Sequence, residues 1–162
     1  MARCLIVGCG CRGLSLANEL RTRGHAIRGT TRDLGRRAEL ETAGVEAHVG
    51  DPDRIATLAP AFDHVGVVCV LLGSAQGSPE QLAALHGTRL DMLLERMLDT
   101  TVRGIVYERA GSVDPELLAS GAQRVQRACE RSLIPFVLLS TDPANHAAWL
   151  AGAAAGVEEI LS

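Results

Sequence analysis

Short β-branched runs alternate along the chain with longer stretches whose apolar residues recur every three or four positions, the pattern of a parallel α/β sheet. Residues 4–8 (Cys-Leu-Ile-Val-Gly) predict a first strand, and Leu14, Leu16, Ala17 and Leu20 a helix that ends at Gly24. A second strand follows over residues 25–31, then an arginine- and glutamate-rich helix over 33–43. Gly44 opens a third strand at 45–49, which stops at Gly50-Asp51-Pro52 before a short helix. The run 64–72 is apolar on both faces, which places it centrally in the sheet. Ser78-Pro79-Glu80-Gln81 has the residues of a capped helix start. Leu90, Leu93, Leu94, Met97 and Leu98 then form an apolar stripe on one long helix reaching from 80 to 98. Strands at 103–109 and 135–140, a helix from Asp114-Pro115 and a last helix from Asp142-Pro143 through Trp149 to Leu161 complete the series. Six strands with intervening helices predict one domain, residues 1–162, built as a doubly wound parallel sheet of strand order 3-2-1-4-5-6.

Composition narrows what such a fold can do. Tyr107, Trp149, Phe62 and Phe136 are the only aromatic residues, so the core rests on Leu, Val, Ile and Ala and offers few platforms for stacking bases. A net charge of −3 argues against a nucleic-acid partner. All sixteen basic residues are arginine, which excludes Schiff-base, P-loop-lysine and every other lysine chemistry. The five cysteines are odd in number and lie mostly in apolar runs, the pattern of reduced thiols in a cytoplasmic protein rather than of disulfides. No apolar run approaches the roughly 20 residues a membrane helix needs.

Between the first strand and the first helix, Gly8-Cys9-Gly10-Cys11-Arg12-Gly13 matches G-x-G-x-x-G in the setting that gives this short motif its meaning. Gly8 allows a tight turn, Gly10 lets the backbone approach a pyrophosphate, and Gly13 lets helix and strand pack closely. The helix N-terminus supplies N–H groups and a positive dipole end for the anion. The competing reading is a tight strand–helix turn and nothing more. Cys9 and Cys11 lack the partner cysteines or histidines of a metal site, and none is expected.

The choice of nucleotide turns on the end of the second strand, Gly29-Thr30-Thr31-Arg32-Asp33. An acidic residue about 20 positions beyond the motif favours NAD. Here Thr30 and Thr31 are neutral donors, and Arg32 presents a planar fork suited to a 2′-phosphate, so NADP is expected over NAD. Asp33 would reverse that preference if the strand ended one residue later. Arg36 and Arg37 either reinforce the positive field or pair with Glu39 and Glu41 on a solvated face. Asp51 is placed for the adenine side of the pocket and equally for capping the helix from Pro52. Val70 and Leu71, at the end of the fourth strand, complete the candidate cofactor residues.

The segments LIVGCGCRGLSLANEL, GHAIRGTTRD, GVEAHVGD and HVGVVCVLL together resemble the atypical, extended-type branch of the short-chain dehydrogenase/reductase superfamily, with its epimerase/dehydratase-like members. RGIVYERAG and PFVLLST extend the likeness more loosely. The resemblance implies NAD or NADP bound at the glycine loop and a homodimer formed through helices flanking the middle strands. It also implies a Tyr-x-x-x-Lys pair on the helix after the fifth strand, with a serine near that strand's end. The chain departs from this pattern. Aligning Ala128-Cys129-Glu130 with the family's usual Ala-x-Glu puts the pair on Ala122 and Gln126, and the serine region reads Glu108-Arg109-Ala110-Gly111-Ser112. Family enzymes also extend well past the sixth strand to build a substrate lobe, whereas this chain ends at Ser162.

The expectation is a homodimeric NADP-binding protein, either an oxidoreductase or epimerase with an unconventional site or a non-catalytic dinucleotide sensor or partner-binding module. A third reading is a dimerising scaffold that binds no nucleotide and uses the helix from 80 to 98 as its interface. Tyr107 reads as a packing residue of a strand, and His86 and His146 lack a carboxylate partner at fixed spacing. Glu108 and Arg109 either serve a ligand at the carboxyl end of their strand or belong to an internal ion pair or to the polar surface.

Overall fold

Side chains alternate across a strand, so a strand apolar at every position must be covered on both faces. The computed structural model, which describes residues 1–162, shows this at β1 (Arg3–Val7), where four consecutive residues are fully buried. Cys4 and Ile6 enter one core layer with α1 (Cys11–Thr22) and α7 (His146–Leu161). Leu5 and Val7 enter the other, with α3 (Ile55–Leu58), α5 (Thr88–Leu98) and α6 (Pro115–Ser132). The remaining strands are β2 (Ala26–Thr31), β3 (Glu46–Val49), β4 (Val67–Val70), β5 (Gly104–Glu108) and β6 (Phe136–Leu139). All neighbours pair in parallel, in the order β3-β2-β1-β4-β5-β6 expected from the sequence. The order reverses between β1 and β4, where Val7 pairs with Val70. No helix is long and apolar enough to cross a membrane.

Several boundaries differ from the sequence reading, each for a local reason. Residues 34–36 form a 3-10 turn before α2 (Arg37–Thr42), because the Asp33 side chain accepts the Gly35 N–H at 2.8 Å and caps a tighter turn. Asp51 does not cap a helix at Pro52. Its Oδ1 accepts from Asp53 N at 2.9 Å, and α3 starts only at Ile55. The last helix opens at His146 with Asn145 as its cap, while Asp142 closes a turn of its own on Ala144 N.

The long helix from 80 to 98 is two helices. Ser78 and Gln81 form the expected capping box for α4 (Pro79–Leu85), but the chain breaks at His86-Gly87 before α5. The His86 ring is drawn inward to Tyr107 and the Leu72 carbonyl, and a Cβ at Gly87 would lie 2.5 Å from Ala83 O. The stripe Leu90, Leu93, Leu94 and Met97 is buried in the chain's own core. It is therefore not the free interface that a dimerising scaffold would need.

Candidate functional site

The carboxyl ends of β1, β2 and β4 meet the amino end of α1 at a cleft of about 390 Å³. At its floor, Gly8 has φ +85°, and a Cβ there would come within 2.7 Å of the Leu71 carbonyl oxygen. A Cβ on Gly13 would sit 3.2 Å from Gly8 O and 3.3 Å from Ile6, so this glycine lets α1 lie against β1. Gly10 differs from both. Its φ is −88°, and a Cβ there would meet no atom within 4 Å. Neither conformation nor packing inside the protein requires glycine at this position. Gly10 is also the N-cap of α1 and leaves the first-turn N–H groups without a side-chain cap. This is a cradle in which a ligand phosphate can approach the backbone.

Other residues build the turn rather than line it. Thr30 is buried; its Oγ1 accepts from Gly8 N at 3.3 Å and its carbonyl accepts from Cys9 N at 3.2 Å. Thr31 Oγ1 receives Asp33 N at 3.1 Å. The Cys9 thiol packs on Gly29 of β2, where a Cβ would lie 2.8 Å from Sγ, and burial pushes its pKa up to about 11. Cys11 is exposed on the first turn of α1, so the two thiols face different surroundings.

Arg32 lies exposed on the cleft wall beside Asp33 and Arg36 and makes no salt bridge. Arg36 donates to Cys9 O at 3.3 Å and to Glu39 at 3.1 Å, spanning from the 3-10 turn to the glycine loop. Arg37 pairs with Glu41 at 3.0 Å on the outer face, away from the cleft. Of the sequence candidates, Gly8, Cys9, Gly10, Arg12, Thr30, Thr31, Arg32 and Leu71 border the cleft; Cys11, Gly13, Asp51 and Val70 do not. Gly50, Pro52 and Asp53 border it on the β3 side, and Leu72, Leu82 and Leu85 form an apolar wall opposite. The sequence reading missed this wall because Leu82 and Leu85 come from α4, which the sequence merges with α5 into one long helix.

Beyond Arg12 the character changes. Glu108, at the end of β5, is completely buried, and each carboxylate oxygen accepts two hydrogen bonds. Oε2 receives Arg12 Nη1 at 2.6 Å and Trp149 Nε1 at 2.8 Å; Oε1 receives Gly73 N at 2.8 Å and Arg12 Nη2 at 3.4 Å. The Arg12 guanidinium also lies 5.3 Å from the Trp149 ring centroid. Glu108 thus has its internal ion pair, with Arg12 rather than with the adjacent Arg109.

Tyr107 points to the other core layer. Because His86 Nε2 faces the Leu72 carbonyl at 2.9 Å it carries the proton, which leaves Nδ1 to accept the Tyr107 O–H at 2.6 Å. Burial raises the tyrosine pKa and lowers that of His86, so both are neutral packing groups. Gly121 of α6 makes room for the phenol, since a Cβ there would lie 2.0 Å from Oη. Ala122 is buried and Gln126 bonds Glu130, so the aligned pair positions carry no acid or base.

Neither a family model nor a curated protein sequence matches the chain. Its fold matches many solved structures. A putative NAD-dependent epimerase/dehydratase from Bacillus halodurans superposes with a TM-score of 0.71 at 19% identity, over 88% of this chain and 71% of that one. A short-chain dehydrogenase/reductase superfamily protein from Agrobacterium tumefaciens with bound NAD gives 0.69 at 20%, over 84% and 48%. Triphenylmethane reductase from Citrobacter sp., complexed with NADP(H), gives 0.65 at 20%, over 86% and 49%. The chain spans about half the length of two of these proteins. At such identities the likeness is one of fold alone, the six-stranded parallel sheet with helices on both faces.

Proposed function

We propose that the chain binds a nicotinamide dinucleotide, NADP in preference to NAD, with its pyrophosphate over Gly10 and its 2′-phosphate beside Arg32. The observation that carries this reading is Gly10, where neither backbone conformation nor internal packing requires glycine and the approach to the backbone is open. The unpaired Arg32 on the same wall supports the 2′-phosphate, since Asp33 has a side-chain oxygen committed to Gly35 N. Structural neighbours described as holding NAD and NADP(H) support the cofactor class. Calorimetric titration of the purified protein with NADPH and NADH tests it. NADPH binds more tightly, and Arg32→Asp weakens it by at least about tenfold, the loss of one charge-assisted hydrogen bond. Binding of neither dinucleotide overturns the reading.

The neutral Tyr107–His86 pair and the saturated Glu108 favour a non-catalytic nucleotide-responsive module over an oxidoreductase with an unconventional site. Such a module changes its association with a protein partner when the nucleotide binds. Turnover of any substrate on a broad carbonyl panel would reverse that preference.

A further inference from the structure

We infer that the cleft recognises only the adenosine-diphosphate half of its nucleotide, ending at a phosphate beside Arg12, and leaves any nicotinamide half outside the fold. This rests on the nucleotide reading above and narrows it. In a doubly wound sheet the two halves of a dinucleotide lie on either side of the point where strand order reverses, here between β1 and β4. The second half would therefore lie over the carboxyl ends of β4 and β5. Every residue lining the cleft falls at position 85 or earlier, so neither β5 nor the loop after it takes part.

That second place is filled by the chain itself. The loop after β4 is bonded to the loop after β5: Val113 N–H donates to Gly73 O at 3.0 Å, and Ser112 N–H to Ser74 Oγ at 3.2 Å. The backbones touch so closely that a Cβ on Gly73 would lie 2.1 Å from Ala110 O. Beneath them sit Glu108 and Trp149, both completely buried, with Arg12 drawn onto them. Arg12 retains 26% side-chain exposure and borders the cleft, so it is both the end wall and a cation. A terminal phosphate carries more negative charge than a bridging one, and a guanidinium fixed at this wall favours a ligand that ends there.

The test is a calorimetric comparison of ADP, adenosine 2′-phosphate 5′-diphosphate, NADH and NADPH on the wild-type protein. Emission from Trp149, the only tryptophan, is followed alongside. Each diphosphate is expected to bind within about threefold of the dinucleotide with the same 2′ group, or more tightly. Both diphosphates change the Trp149 emission, and bound NADPH keeps the nicotinamide emission of the free molecule. NADPH binding more than about tenfold tighter than its diphosphate half, or enhanced nicotinamide emission, overturns the inference and leaves the dinucleotide reading standing. Binding of none of the four removes both. Arg12→Gln alone would strand the buried Glu108, so the variant is Arg12→Gln with Glu108→Gln, its fold checked by cooperative unfolding. It is expected to lose about tenfold in ADP affinity. Wild-type affinity in that variant would show that Arg12 holds no phosphate.

Discussion

Gly8 and Gly10 stand two residues apart in one motif and answer to different demands. Gly8 combines φ +85° with a Cβ position 2.7 Å from Leu71 O, so both backbone strain and a backbone clash oppose any side chain. Gly8→Ala should cost at least about 1–3 kcal/mol, read as a lower midpoint in urea unfolding. Gly10→Ala meets neither obstacle and should cost about 1 kcal/mol or less, the ordinary difference for alanine at an N-cap. Its effect should fall on binding instead, with nucleotide affinity reduced by at least about tenfold in the same titration. Unchanged affinity would mean that nothing approaches the backbone at Gly10. The motif's spacing made these positions legible in the sequence, and its setting between strand and helix marked Gly8 for the tight turn that it makes. The partner of Arg12 was not legible. Glu108 lies 96 positions away, and only the topology brings the end of β5 beside the first turn of α1.

The break between α4 and α5 is where periodicity misled, and also where stability gains a pH dependence. The stripe from Leu90 to Met97 reads correctly as helix because its spacing is local information. Gly87 is the one local sign of a boundary there, and an isolated glycine inside a helical pattern is also tolerated. His86 turns inward because a carbonyl on the β4 loop and a phenol on β5 wait for its two ring nitrogens. Tyr107→Phe removes one of those partners and leaves Nδ1 buried without a donor, a loss of about 1–3 kcal/mol in urea unfolding. The titration of His86 follows from the same burial. Its folded pKa lies below the ordinary 6.5, so between the two values the unfolded chain binds more protons than the native one. The contribution is complete above about pH 6.5, declines as the pH falls below it, and levels off beneath the folded pKa. Unfolding midpoints measured from about pH 7.5 to about pH 5 should fall more steeply for the wild type than for His86→Gln. Parallel profiles would show that this histidine does not couple folding to protons.

Across the whole molecule, the strand order and the two-layer core followed from alternating runs, since a parallel sheet covered on both faces leaves few other arrangements for these strands. How the layers are tied at the carboxyl edge did not follow, because one carboxylate joins three segments distant in sequence. Glu108 bonds the first turn of α1 through Arg12, the loop after β4 through Gly73, and α7 through Trp149. A fully buried carboxylate survives there only because all its acceptor capacity is used and a cation offsets its charge. Removing both partners should therefore cost less than the two single losses added together. Arg12→Leu leaves the carboxylate buried without a cation and should destabilise by about 3–5 kcal/mol. Glu108→Leu frees Arg12, whose partial exposure lets it rehydrate, but strands the Trp149 and Gly73 N–H groups, a cost of about 1–3 kcal/mol for each. In the double variant the charge penalty of the first change disappears. Its loss should fall short of the sum of the two single losses by at least about 1 kcal/mol in a double-mutant cycle on unfolding free energies. Additive losses would mean that Arg12 and Glu108 contribute independently, and that the wall at the end of the cleft is held by loop packing alone.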